Sequence, residues 1–292
     1  MTQVNYNDIS QLIQLLYDYF YLNKKEKYEF VYPTKSNIHD VHKIKYGTEY
    51  NSSVVLNSSL DYLYNIDDRM YLEASVGKHN VFIQMEFYNS HNRNRSKEIL
   101  NDQQFRYLLS EFAEKGLLFI LLPIINFDVT YDTLKKSKLK DKFDQFAKNT
   151  NANEDSKVAV SVMENFFNMK PLKKYVLENL ETLHPSFWKI VLFEVFYALE
   201  VIKKKYQSFR HNLLSHKSVF ICKYDANNVN VDCKEIGNTT YTMYGNTYTL
   251  PKCDFIVKIG NFSKAYIKNL VNDDTYVDND FYDIHYFSQS IY

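Results

Sequence analysis

The strongest hydrophobic pattern in the chain lies between residues 185 and 221. Phe187, Ile190, Val191, Val195, Ala198, Leu199 and Ile202 recur at helical spacing and predict one apolar face of a long helix. Pro185 suits the first turn, where its missing N–H costs no hydrogen bond. Lys203, Lys204 and Lys205 fall where cations complement the negative end of the helix dipole. Beyond the helix the pattern changes to a continuous apolar run, Val219-Phe220-Ile221, which predicts a buried strand.

The same reading places the other elements. Ile9, Leu12, Ile13, Leu16, Tyr17 and Phe20 predict a helix over 7–22, with Asn7 or Asp8 as its N-cap. Strands are predicted over 53–56, 70–74 and 81–85. A helix over 102–114 would bury Phe105, Leu108, Leu109 and Phe112. Buried strands are predicted over 117–122, where Pro123 interrupts the run, and over 158–162. Residues 135–157 are charged and weakly patterned, and read as a long surface loop or a short solvated helix. A helix over 170–180 precedes the long one. Strands 239–244 and 247–250 predict a hairpin turning at Gly245-Asn246, followed by a strand over 255–259. Strands dominate the first half and helices the second, so the chain reads as α+β.

Composition narrows the function classes. Among 292 residues, 35 Lys and Arg balance 35 Asp and Glu, so no global field favours nucleic acid or an anionic membrane. The abundance of Tyr (26) and Phe (21) follows A/T-rich codon usage, and only 6 glycines argues against a phosphate-cradling loop. Cys222, Cys233 and Cys253 are odd in number and show no C-x-x-C spacing, which predicts free thiols in a reducing compartment. The polar N-terminus shows no signal peptide, and the apolar run 117–125 is too short for a bilayer, which needs about 20 residues. These features predict a cytoplasmic chain without membrane insertion or nucleic-acid binding.

Isolated polar groups read blandly. His39-x-x-His42 has helical spacing for a metal but no third ligand nearby. Asp273, Asp274, Asp278 and Asp280 read as a solvated loop, and Asp225 as a carboxylate displaced from any catalytic position. Glu194, on the apolar side of the long helix, is expected to pair with a lysine or reach solvent.

The segment after the helix is more specific. It reads His211-Asn212-Leu213-Leu214-Ser215-His216-Lys217-Ser218, in the frame of the kinase catalytic loop H-R-D-L-x-x-x-N. Residues 244–251 and 255–259 resemble a hairpin ahead of a metal-binding motif, here Asn261-Phe262-Ser263. Residues 279–287 resemble the helix after the activation segment. On these three patterns the chain resembles the protein kinase superfamily over about residues 45–292, and within it the serine/threonine kinase-like proteins of large cytoplasmic DNA viruses.

The resemblance implies a two-lobed protein kinase-like fold. Residues 1–163 would form an N-terminal helix and a β-rich N-lobe, and 164–292 an α-rich, C-terminally truncated C-lobe. The hinge would lie near Met163-Glu164-Asn165, with adenine contacts from backbone around 161–164. It also implies where chemistry should sit. Phosphoryl transfer needs a base, metal ligands and a phosphate-gripping lysine, because positioning and charge supply nearly all the catalysis. Leu213 falls at the base, Ser218 at the metal-binding asparagine, Asn261 at the D-F-G aspartate and Gln84 at the V-A-I-K lysine. The glutamate that pairs with that lysine falls at Gln103 or Gln104, and the Gly-rich loop falls near 47–54 with one glycine. The packing positions remain: His211, Phe262 and Asp283.

The expectation is a catalytically inactive, kinase-like interaction or scaffolding protein of viral type. It would take no cofactor and no metal, and a protein partner would cover the shortened C-lobe. A weakly active or atypical serine/threonine kinase and a virion structural component reusing the fold are the alternatives.

Overall fold

The computed structural model describes residues 59–76, 79–88, 93–112, 117, 119–153, 156–165, 168–223, 239–251, 253–268 and 281–291. They fall into two compact units. The predicted helix over 7–22, the strand over 53–56, the loop at 47–54, His39, His42, Asp225 and the aspartates at 273, 274, 278 and 280 lie outside the described residues.

The first unit is built on an antiparallel five-stranded sheet in the order β1-β2-β3-β5-β4. Its strands are β1 (Ser59–Ile66), β2 (Arg69–Val76), β3 (His79–Tyr88), β4 (Pro123–Thr130) and β5 (Lys157–Glu164). β3 and β5 are central, and residues 81–87 and 158–164 are buried without alternation, which is why both read as continuous apolar runs. β1 turns into β2 through Asp67, whose φ of 51° a short polar side chain tolerates.

Three expectations are corrected in this unit. Helix α1 runs Arg93–Ser110 and so begins well before residue 102; its first residues, 93–98, are polar and carry no apolar signal. Pro123 does not end a strand but begins β4, an edge position where a missing N–H is tolerated. Residues 135–157 are neither a long loop nor a fully solvated helix. After the short α2 (Tyr131–Leu134), α3 (Lys140–Asn149) buries Phe143, Phe146 and Ala147. That stripe is only three residues wide among lysines, so the window as a whole looked unpatterned.

The second unit is organised by α5 (Pro185–Lys205), which buries Phe187, Ile190, Val191, Val195, Ala198, Leu199 and Ile202, the predicted face residue for residue. His184 caps it by accepting the Ser186 N–H at 3.2 Å. Ahead of it come β6 (Asn168–Pro171) and α4 (Leu172–Asn179). β6 joins β7 (Val219–Lys223) and β10 (Phe255–Ile259) in an antiparallel sheet ordered β10-β7-β6. The described residues among 117–122 form no strand; Ile120 makes one parallel bridge to Ile259 of β10.

β8 (Thr239–Met243) and β9 (Asn246–Leu250) form the expected hairpin. Its turn is Tyr244-Gly245, one residue earlier than predicted, with φ of 51° and 77°. Positive φ at both central residues matches the twist of antiparallel strands. α6 (Tyr282–Ser290) is the last described helix and buries Asp283 and Phe287.

Candidate functional site

Two clusters hold the residues singled out by sequence, one in each unit. In the second unit, α5 ends at Tyr206 and the chain runs through buried Phe209 into Arg210, which exchanges backbone hydrogen bonds of 2.9 and 2.8 Å with Tyr266. This bridge fixes the start of the loop. His211 follows, fully buried. Its Nδ1 accepts the Leu213 N–H at 3.3 Å, so Nε2 carries the proton and donates to Gly260 O at 3.0 Å. The ring packs against Phe262 with centroids 5.0 Å apart.

Asp283 anchors the same loop from α6. Its two carboxylate oxygens accept the N–H groups of His211 and Asn212, each at 2.8 Å. Asn212 adopts a φ of 61°, and its amide donates to Lys264 O at 2.9 Å. The far end of α6 holds the loop too: His216 N–H donates to Ser290 Oγ at 3.0 Å. Nothing in the pattern of the sequence points to Ser290, because its role depends only on where α6 ends.

The remaining predicted positions are occupied as follows. Leu213 is half-buried and presents an aliphatic side chain. Ser218 is fully buried; its hydroxyl accepts the Ser215 N–H at 2.7 Å and donates to Leu213 O at 2.8 Å. Asn261 has a φ of 62°, and its side-chain oxygen accepts the Ser263 hydroxyl at 3.0 Å. The Ser218 hydroxyl and the Asn261 side-chain oxygen are thus engaged by neighbours in their own segments.

In the first unit, Gln84 sits in the middle of β3 at 2% exposure. Its amide donates to Glu86 Oε1 at 2.6 Å and Asp102 Oδ2 at 3.2 Å, and its carbonyl accepts from Arg106 Nη2 at 2.8 Å. Arg106 also pairs with Asp102 one helical turn away and donates to Met163 Sδ on β5 at 2.8 Å. Glu86 in turn meets Arg69 at 3.2 Å and Arg95 at 2.6 Å. A buried charge costs heavily unless it is paired and hydrogen-bonded, and here each has an opposite neighbour.

This corrects the expected partner on α1. The residue facing Gln84 is Asp102, accompanied by Arg106, and not Gln103 or Gln104; Gln103 points to Ser161 Oγ of β5 at 3.5 Å. Asp102 and Arg106 lie on the buried side of α1, where two charged residues broke the apolar periodicity that located the helix.

Among the described residues no group of three or more His, Cys, Asp or Glu could hold a metal ion, and no helix is long and apolar enough to cross a membrane. Cys222 and Cys253 are free thiols.

No protein-family model matches the chain. Over 168 residues it is 23% identical to "Putative serine/threonine-protein kinase R400" of Acanthamoeba polyphaga mimivirus, a match covering 53% of this chain and 35% of the relative. The matched stretch is therefore about a third of that relative's length. Among solved structures, WaaP in complex with acyl carrier protein overlays with a TM-score of 0.39 and 9% identity, over 82% of this chain and 73% of that one. A second structure, described as a kinase domain, gives 0.41 and 12%, over 80% and 58%. In its sheet-first α+β order and in the stretch it shares with the mimivirus relative, the chain is similar to protein kinase-like proteins.

Proposed function

We propose that this chain is a catalytically inactive kinase-like protein, of viral type, that acts as a protein-interaction or scaffolding module. The observation that carries the reading is Leu213 at the position of the catalytic base, inside a loop otherwise held in register by His211 and Asp283. An aliphatic side chain can neither accept a hydroxyl proton nor orient the hydroxyl. Ser218, Asn261 and Gln84 support the same reading, since their polar atoms are taken up by neighbouring protein groups. The interaction role draws on the exposed aromatics of the α6 region: Phe281 is 73% exposed, and Tyr282 and Tyr286 stack at 6.0 Å on the outside of the helix. The mimivirus relative's name favours the alternative, a weakly active serine/threonine kinase.

Turnover of radiolabelled ATP by the purified chain, with a chelator control, separates the two. No metal-dependent transfer to itself or to generic substrates is expected. Steady metal-dependent turnover would establish the alternative. Melting curves with Mg²⁺-ATP add a binding readout: ligand at a hundred times its Kd would stabilise the fold by about 2.7 kcal/mol, and no such rise is expected.

A further inference from the structure

Glu194 of α5 is taken up by two strands and not by a lysine. Its Oε1 accepts the Tyr241 hydroxyl of β8 at 2.8 Å, and its Oε2 accepts the Val257 N–H of β10 at 2.8 Å. Around this contact the β8–β9 hairpin lies on α5 through an aromatic cluster. Phe193 packs at 5.2 Å from Tyr241 and 5.4 Å from Tyr248, and Tyr197 packs at 4.8 Å from Tyr241. At the turn, Tyr244 donates to Glu200 at 2.5 Å. Tyr241 and Tyr248 thus share the face turned to α5. Side chains alternate along a strand, so Thr240, Thr242, Thr247 and Thr249 stand on the opposite face, and all of them are exposed.

The hairpin is a sheet of two strands, and among the described residues no further strand pairs with β9. Its register sets Thr240 against Thr249, Tyr241 against Tyr248 and Thr242 against Thr247, without a bulge. Across the two-residue turn the closing pair, Met243 and Asn246, is hydrogen-bonded, and bonded pairs alternate from there. Tyr248 therefore spends its N–H and C=O on Tyr241, while those of Thr247 and Thr249 turn to the free edge. Proteins guard such edges with charged side chains, proline or bulges. Neither β8 nor β9 contains a charged residue or a proline.

We propose that β9 is a self-pairing edge, at which a second copy of this chain adds its own β9 antiparallel about a twofold axis at Tyr248. Thr247-Tyr248-Thr249 reads the same in both directions. Centred on Tyr248, Thr247 of each copy faces Thr249 of the other, and their outward N–H and C=O groups exchange hydrogen bonds on both sides of the axis. The side-chain pairs this makes, Thr-Tyr-Thr on Thr-Tyr-Thr, are those the chain already uses between β8 and β9. Thr–Thr and aromatic cross-strand pairs are favourable, and no like charges meet. β9 supplies the edge because residues 246–249 are all exposed, whereas Tyr241 of β8 is held by Phe193, Tyr197 and Glu194. A twofold pairing of one edge closes on itself. The strand is short, so the dimer is a reversible one. The inference concerns a different part of the chain from the kinase-like loop and stands whether or not the chain transfers phosphate.

The test is sedimentation equilibrium of the full chain over a concentration series, with amide exchange on the same samples. The mass should rise from 34.8 kDa toward twice that value. The Thr247 and Thr249 N–H groups should gain protection with concentration, while the Tyr248 N–H, already bonded within the hairpin, should not change. Thr249→Pro removes an outward donor and spares the β8–β9 ladder, and should leave the chain monomeric. Thr247→Lys with Thr249→Lys sets like charges opposite one another, as does Thr247→Glu with Thr249→Glu. Each of these doubles alone should be a monomer, and an equimolar mixture of the two should dimerise. Should Thr249→Pro unseat the hairpin, seen as lost protection at Tyr248, the charge-swapped mixture decides. A wild type that stays at one chain throughout would leave the edge to a strand of another protein and overturn the self-pairing. A dimer that persists in Thr249→Pro, or a mixture that stays monomeric, would overturn it too.

Discussion

Around His211, backbone N–H and C=O groups are matched by the Asp283 carboxylate, the His211 imidazole, the Asn212 amide and the Ser218 and Ser290 hydroxyls, and these contacts fix the path of a loop. Around Gln84, side chains answer side chains: Arg69, Arg95 and Arg106 pair with Glu86, Asp102, Asp68 and Glu98 across two strands, a turn and a helix. The first arrangement keeps a backbone shape and needs little charge. The second keeps charge and pairs it, with Glu86, Asp102 and Arg106 buried at its centre. On the proposed reading, the loop keeps its backbone contacts while the carboxylates around Gln84 are balanced by arginines.

The largest effect that would break this contrast is expected at Arg106. Arg106→Met removes the guanidinium beside Asp102 in a fully buried setting, and removing one member of a buried pair costs about 3–5 kcal/mol. The double variant Asp102→Leu with Arg106→Met should recover most of that loss, because apolar replacement of both partners is nearly neutral. Urea unfolding of the wild type and the two variants checks it. If the double variant is as unstable as the single one, the network serves packing and not charge balance.

Next in size is Asp283→Ala in the other unit. It leaves the His211 and Asn212 N–H groups without their acceptor, at roughly 1–3 kcal/mol for each orphaned donor. Asp283→Asn should lose less, since an amide oxygen can still accept one of the two. Exchange of the loop amides, followed alongside the melt, should rise locally in both variants; unchanged protection at 211 and 212 would contradict the anchoring role.

The two regions also differ in what the sequence made legible. The α5 face was readable because its seven buried positions are all apolar and follow one period. His211, Phe262 and Asp283 were singled out by the resemblance of three short segments to the kinase family and not by periodicity. The partner of Gln84 was not, since Asp102 and Arg106 are charged residues on a buried face and look like solvent positions until the helix is seen against β3. α3 escaped for a related reason: three apolar residues in one stripe are diluted by the lysines around them. The role of Glu194 required a long-range pairing with β8 that no local window contains.

A smaller effect sharpens the charge argument. Gln84→Lys removes the carbonyl that now accepts from Arg106 at 2.8 Å and puts an ammonium beside that guanidinium, and an orphaned buried donor costs about 1–3 kcal/mol. Combined with Arg106→Met, the new lysine becomes the cation for Asp102. The pair should then be more stable than the sum of the singles, with a coupling of about 0.5–3 kcal/mol as found for residues sharing one network. Strict additivity would mean that Gln84 and Arg106 do not compete for the same carboxylate.

The smallest expected change tests the loop. Leu213 is half-buried and its N–H is held by His211 Nδ1, so Leu213→Asp places a carboxylate near the surface and should cost only about 1 kcal/mol, within the common range for single substitutions. It should restore no phosphoryl transfer. General-base help contributes typically 10²–10⁴-fold, but only when metal and phosphate are already positioned, and members of such a unit act together rather than additively. Ser218 and Asn261 remain engaged with loop neighbours, and Gln84 remains inside its charge network. Adding Ser218→Asn and Asn261→Asp supplies the metal ligands yet leaves the lysine position closed by Arg106 and Asp102. The full set, with Gln84→Lys and Arg106→Met, is the first combination in which both regions are changed. Turnover appearing in that set and in none of the partial ones would locate the block in both clusters; turnover from Leu213→Asp alone would mean that the Gln84 network does not exclude the nucleotide.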